Sequence, residues 1–148
     1  MKALLIVAAL SLAAPAAAHD EGHGPKLTDG GRMGGVVTAV VLANEAKLGT
    51  KAALQYKAEL TRSDDGTVRV YLYDTEMKPL EPARFGKTAK AVLLSQKKKK
   101  WSQAPFTLTF MDGAFTGKAP KAASKPFNID VNFTEGKITL LAAFDGLD

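Results

Sequence analysis

From Gly35 to Phe144 the dominant hydrophobic period is two, the signature of strands with one buried face. Phe127-Asn128-Ile129-Asp130-Val131-Asn132-Phe133 alternates strictly, Glu135-Gly136 supplies a tight turn, and Ile138, Leu140, Ala142 and Phe144 carry the next inward face. That pattern predicts a hairpin. A second hairpin is predicted where Leu54, Tyr56, Ala58 and Leu60 alternate with Gln55, Lys57, Glu59 and Thr61. Ser63-Asp64-Asp65-Gly66 then reverses the chain, and Val68, Val70 and Leu72 return on the inner face. Further apolar runs lie at Gly35 to Leu42, Lys87 to Ser95 and Phe106 to Met111. Seven short strands separated by turn signals predict an all-β, immunoglobulin-like antiparallel β-sandwich over residues 34–148. Pro79, Pro82, Pro105, Pro120 and Pro126 are expected between strands, where a missing N–H costs least. Asn44 to Ala53 holds helix formers, but Gly49 and Thr50 limit it to one or two turns.

The first 33 residues do not follow this grammar. Met1-Lys2 is a minimal positive start, Ala3 to Ala14 is apolar throughout, and Ala16-Ala17-Ala18 offers small residues for signal peptidase after Pro15. Twelve apolar residues make about 18 Å of helix, short of the roughly 30 Å hydrocarbon core. Residues 1–18 therefore read as a cleaved secretory signal, and the mature chain as periplasmic or secreted with no transmembrane segment. Residues 19–33 are polar, Gly-rich and aperiodic, and are expected to form a flexible, His-containing arm.

Composition removes several classes of chemistry. There is no Cys, hence no disulfide, thiolate metal site or Cys nucleophile. The only two histidines, His19 and His23, lie outside the predicted domain, so no Ser–His pair can form within it. Asp64-Asp65 is explained by its turn, while Asp74, Glu76 and Glu81 flank a proline-containing loop. The reading is non-catalytic. The net charge of +5 falls to +4 once Lys2 leaves with the signal. Nucleic acid is not expected as a partner outside the cytoplasm.

Gly34-Gly35-Val36-Val37, Glu59-Leu60 and Val68-Arg69-Val70-Tyr71-Leu72-Tyr73-Asp74 with Pro79 five residues on form a recognisable order, which Phe115 to Pro120 continues before the last hairpin. It resembles a small exported β-sandwich domain found alone or beside periplasmic adaptor subunits of heavy-metal efflux systems. The resemblance implies an Ig-like sandwich associated with metal handling and identifies no catalytic residue. The chain departs from that pattern in a longer link at Ala43 to Ala53 and in an inserted lysine run.

Two candidate sites follow. If cleavage follows Ala18, the His19 amine and imidazole can chelate Cu(II) or Ni(II), with His23, Asp20 and Glu21 completing the set. The same arm also reads as a polar, soluble tail. Lys97-Lys98-Lys99-Lys100 followed by Trp101 can hold a polyanion or an anionic membrane surface, and also reads as a solvated tip between two strands. The expected function is a periplasmic accessory protein that binds or buffers copper or nickel near an efflux component. The alternative is an interaction module whose partner is an envelope protein or an anionic envelope surface.

Overall fold

The computed structural model describes residues 23–148; the predicted signal and His19, Asp20 and Glu21 lie outside the described residues. Eight strands form in chain order: β1 (Val36–Leu42), β2 (Tyr56–Arg62), β3 (Thr67–Tyr73), β4 (Thr88–Lys97), β5 (Lys100–Met111), β6 (Ala114–Lys118), β7 (Phe127–Glu135) and β8 (Ile138–Leu147). Two short 3-10 segments, Ala43–Lys51 and Pro82–Phe85, interrupt them. The first lies where one or two helical turns were expected. It breaks at Gly49, whose φ of 57° accompanies a non-helical ψ of −129°.

The all-β antiparallel expectation holds, but the seven-stranded sandwich does not. The strands close into a single barrel in the order β1-β2-β3-β6-β5-β4-β7-β8, and β8 pairs back onto β1 through Val40↔Ala142. The strand the sequence reading missed is β6. It has only five residues, too few for alternation to be legible, yet it joins β3 to β5 through Val70↔Phe115 and Phe110↔Phe115. Without β6, both neighbours would end as open sheet edges. Gly117 permits the close approach, because a Cβ there would sit 2.4 Å from the Thr107 carbonyl oxygen.

The inward faces follow the predicted alternation. Ala58 and Leu60, Val68 and Val70, Phe127 to Phe133 at every second position, and Leu140, Ala142 and Phe144 all join one buried core. Two predicted core positions fail for local reasons. Ile138 directly follows the β7–β8 turn and is 49% exposed. Leu54 precedes β2 and packs outside the barrel with Ala39, Val41, Ala52 and Leu27. Pro105 is another correction, since it lies inside β5 opposite Val92. The Lys97–Lys100 turn makes alternate β4–β5 pairs hydrogen-bonded, so the Pro105 nitrogen faces away from β4. Pairs between β5 and β6 reach only Thr109 to Met111, so that nitrogen interrupts no ladder.

Residues 23–33, the described part of the expected arm, run over the outside of β1 and β2. Gly24 N–H donates to the Gly49 carbonyl at 2.8 Å, and Leu27 packs in the outer apolar cluster. Asp29 meets Lys57 at 2.8 Å. Glu59, at an outward position of β2, is fully buried beneath this segment. Its carboxylate accepts from the Arg32, Met33 and Gly35 amides at 3.0, 2.8 and 2.8 Å and from the Tyr73 hydroxyl at 2.8 Å. Burial pushes its pKa up, but these four donors outweigh that and hold it below the usual carboxylate value.

Candidate functional site

The barrel has two unlike rims. At one, the Pro82–Phe85 segment inserts Phe85 as a fully buried plug, edge-on to Tyr56 at 5.5 Å. Glu135 accepts from the Tyr56 hydroxyl at 2.8 Å and from Arg84 Nε at 3.0 Å, while Arg84 also donates to the Tyr56 oxygen at 2.7 Å. Burial raises the Tyr56 pKa, and the Glu135 carboxylate adds to that. The proton stays on the phenol and is donated to Glu135. The cluster is self-satisfied and ties β2, β7 and the plug together.

The opposite rim carries the lysine run. β4 and β5 pair continuously from Thr88↔Thr109 to Lys97↔Lys100, so Lys98 and Lys99 are the two central residues of a tight hairpin. Both have positive φ, 51° and 64°, as a primed two-residue turn requires. Left-handed backbone costs a side chain bearing a Cβ about 1 kcal/mol or more. The lysines therefore occupy positions that asparagine and glycine would fill at lower conformational cost. β7 pairs with β4 only as far as Ser95↔Phe127, so Gln96 to Trp101 project beyond the neighbouring strand. The four lysines are exposed, and Trp101 is 42% exposed beside them. This is the exposed tip the sequence suggested, reached by strands longer than the apolar runs alone indicated.

More cations converge on this rim. Ala123 N–H donates to Ser95 Oγ at 3.2 Å and Ser124 Oγ to the Gln96 carbonyl, which holds the Lys121–Lys125 loop against the base of the hairpin. A cleft of about 890 Å³ opens there, with Leu93 and Phe127 in its wall and Arg62, Lys121 and Lys125 around it. The Arg62 guanidinium lies 4.6 Å from the centre of the Phe127 ring and donates to the Asp148 main-chain oxygen. Lys118 pairs with Asp65 at 3.6 Å in an exposed geometry that contributes little. Lys97 to Lys100, Lys121 and Lys125 have no ion-pair partner among the described residues.

Of the four candidate metal ligands the structure describes only His23. His19, Asp20 and Glu21 lie outside the described residues. His23 Nδ1 donates to the Ala46 carbonyl at 2.8 Å. Among the described residues no three His, Asp or Glu side chains stand close enough to hold a metal ion. The carboxylates of Asp65 and Asp74 are engaged by the backbone of their own turns: Asp65 accepts from Thr67 N–H at 2.9 Å, Asp74 from Glu76 and Lys78 N–H at 2.8 and 2.9 Å.

Sequence reasoning missed the Glu59 and Tyr56–Arg84–Glu135 clusters. Glu59 occupies a polar position of the alternation and therefore reads as solvated. The available signal was the glycine density of Gly30-Gly31-Arg32-Met33-Gly34-Gly35, since a Cβ on Gly31 would lie 2.3 Å from Glu59 Oε1. Among the described residues no helix is long and apolar enough to cross a membrane. Comparisons of the chain with protein-family models, curated proteins and solved structures give no match.

Proposed function

We propose that this protein is an exported, non-catalytic module that docks on an anionic envelope surface through its lysine rim. The observation that carries the reading is the turn at Lys98-Lys99, where two lysines occupy left-handed backbone at the tip of the longest hairpin. A turn with no partner to meet gains nothing from that choice of residues. A surface-binding turn gains four ammonium groups on a short, stiff support, with an exposed tryptophan suited to a polar–apolar boundary beside them. Lys121 and Lys125 add two more ammonium groups beside the hairpin, in a cleft that Asp64 and Asp148 also line.

Near an anionic surface each lysine contributes about 1 kcal/mol, so the tip supplies about 4 kcal/mol, on the order of a thousandfold in partitioning. The test is binding of the mature protein to phosphatidylglycerol-containing vesicles at low and physiological salt. Replacing Lys97 to Lys100 with Gln should remove most of the binding, and raising salt should weaken the wild type toward the variant. Equal binding by both proteins would refute the proposal. Copper or nickel buffering by His19, Asp20, Glu21 and His23, near an efflux component, is the competing proposal; three of these four residues lie outside the described residues. Cu(II) titration of the mature protein, compared with a chain starting at Lys26, separates the two.

A further inference from the structure

The barrel wall has a gap. β3 runs to Tyr73, but β6 pairs with it only from Thr67 to Val70. Beyond that point the loop carrying Pro79 and Leu80 pairs with the β3 edge that β6 leaves free, through Tyr73↔Pro79 and the Leu80 N–H to Leu72 carbonyl bond at 3.1 Å. Between this loop and the β5–β6 turn lies a cavity of about 370 Å³, within the size range of small-ligand sites. Its walls are Leu72, Leu80 and Phe110, backed by Phe85 and Phe115 of the core.

The mouth is chemically different. Arg32 and Tyr71 stand there with the exposed side chain of Met33. Arg32 donates through one nitrogen to the Met77 carbonyl at 2.8 Å, and its guanidinium has no carboxylate partner among the described residues. The Tyr71 hydroxyl has no hydrogen-bond partner among them. The nearby Glu59 carboxylate is already saturated by four donors and covered by the backbone of residues 32–35.

We infer that this opening binds a small amphipathic carboxylate, a short acyl chain or a single aromatic ring bearing one carboxyl group. The apolar body enters between Leu72, Leu80 and Phe110. The carboxylate stays at the mouth, where it accepts two hydrogen bonds from the remaining N–H groups of the Arg32 guanidinium and a third from the Tyr71 hydroxyl. A neutral alcohol of the same chain length fills the same cavity but forfeits the charged contacts. This site lies on the side of the barrel and does not depend on the lysine rim.

Calorimetric titration with sodium decanoate at sub-millimolar concentration tests it, with decanol as the neutral control. Saturable one-to-one binding is expected, at least tenfold tighter for decanoate than for decanol. Arg32→Gln keeps the backbone N–H that Glu59 needs and should weaken decanoate tenfold or more while leaving decanol unchanged. Leu80→Trp should block both ligands. If that variant does not fold, amide shift mapping on the wild-type protein replaces it, and decanoate must perturb Tyr71 to Tyr73 and Phe110 to Gly113. No saturable binding, equal affinity in the Arg32→Gln variant, or shifts confined to the lysine rim would each overturn the inference.

Discussion

Two hairpins of this barrel end in the same two-residue turn built from opposite materials. At the plugged rim β5 and β6 are joined through Met111↔Ala114 by Asp112-Gly113, with φ of 52° and 83°. At the other rim β4 and β5 are joined through Lys97↔Lys100 by Lys98-Lys99 with the same sign of φ. Asp-Gly suits left-handed backbone, since glycine has no Cβ and aspartate tolerates the conformation. Lys-Lys does not, and it adds repulsion between neighbouring ammonium groups. The rims differ in charge in the same sense. Near the plug, cations such as Lys78 and Arg84 face acids such as Glu76 and Glu135 at 3.0 and 2.8 Å. On the lysine rim Lys118 faces Asp65, but Lys97 to Lys100, Lys121 and Lys125 have no ion-pair partner among the described residues. One turn is built from residues suited to its backbone; the other places two lysines in a conformation that costs them.

The largest expected effect lies at the plugged rim. Phe85→Ala should cost about 3–5 kcal/mol in urea unfolding, the usual range for a buried phenylalanine. A loss under 1 kcal/mol would mean the plug does not close the core. Glu59→Gln comes next, because an amide presents N–H groups to the donors that the carboxylate satisfies. Leaving buried donors unpaired should cost about 2–3 kcal/mol at neutral pH. The sign with pH follows from the lowered folded pKa. Glu59 contributes fully above the ordinary carboxylate range, and its contribution is lost as pH falls through the folded value. The gap between wild type and Glu59→Gln should therefore narrow in acid; a gap that stays constant at low pH would contradict this.

The turns themselves give smaller, opposite effects. Converting Asp112-Gly113 to Lys-Lys should destabilise by about 1–2 kcal/mol, whereas Lys98-Lys99 to Asn-Gly should stabilise by about 1 kcal/mol. If neither exchange moves the unfolding midpoint, backbone conformation is not what distinguishes the two turns. Smallest of all, replacing all four lysines with Gln should alter stability by no more than about 0.5 kcal/mol, while vesicle binding collapses. A large stability change there would mean the run is structural.

Much of the barrel was legible because period-two alternation reports directly which side of a strand is buried. Phe127 to Phe133 and Leu140 to Phe144 needed no partner to declare their inner face, and the turn at Glu135-Gly136 declared their pairing. The Ser63–Gly66 loop and the exposed lysine tip were legible for the same local reason. Closure was not. It depends on β6, whose five residues carry one large apolar side chain, Phe115, and whose place between β3 and β5 is set by contacts remote in sequence. The outer face of β2 was likewise hidden. Alternation states that Lys57 and Glu59 point out of the barrel, but not that the preceding segment will cover them, meeting Lys57 with the Asp29 carboxylate and Glu59 with its own amides.

Sequence by itself determined the strand faces, most of the turns, the absence of thiol chemistry and the position of the four lysines, because each is a property of neighbouring residues. Tertiary structure decided that the sheet closes, that Glu59 is buried and satisfied, and that a gap remains in the wall beside Arg32 and Tyr71. Those outcomes rest on which strand edges find partners and which do not, and edge pairing joins residues that the chain keeps far apart.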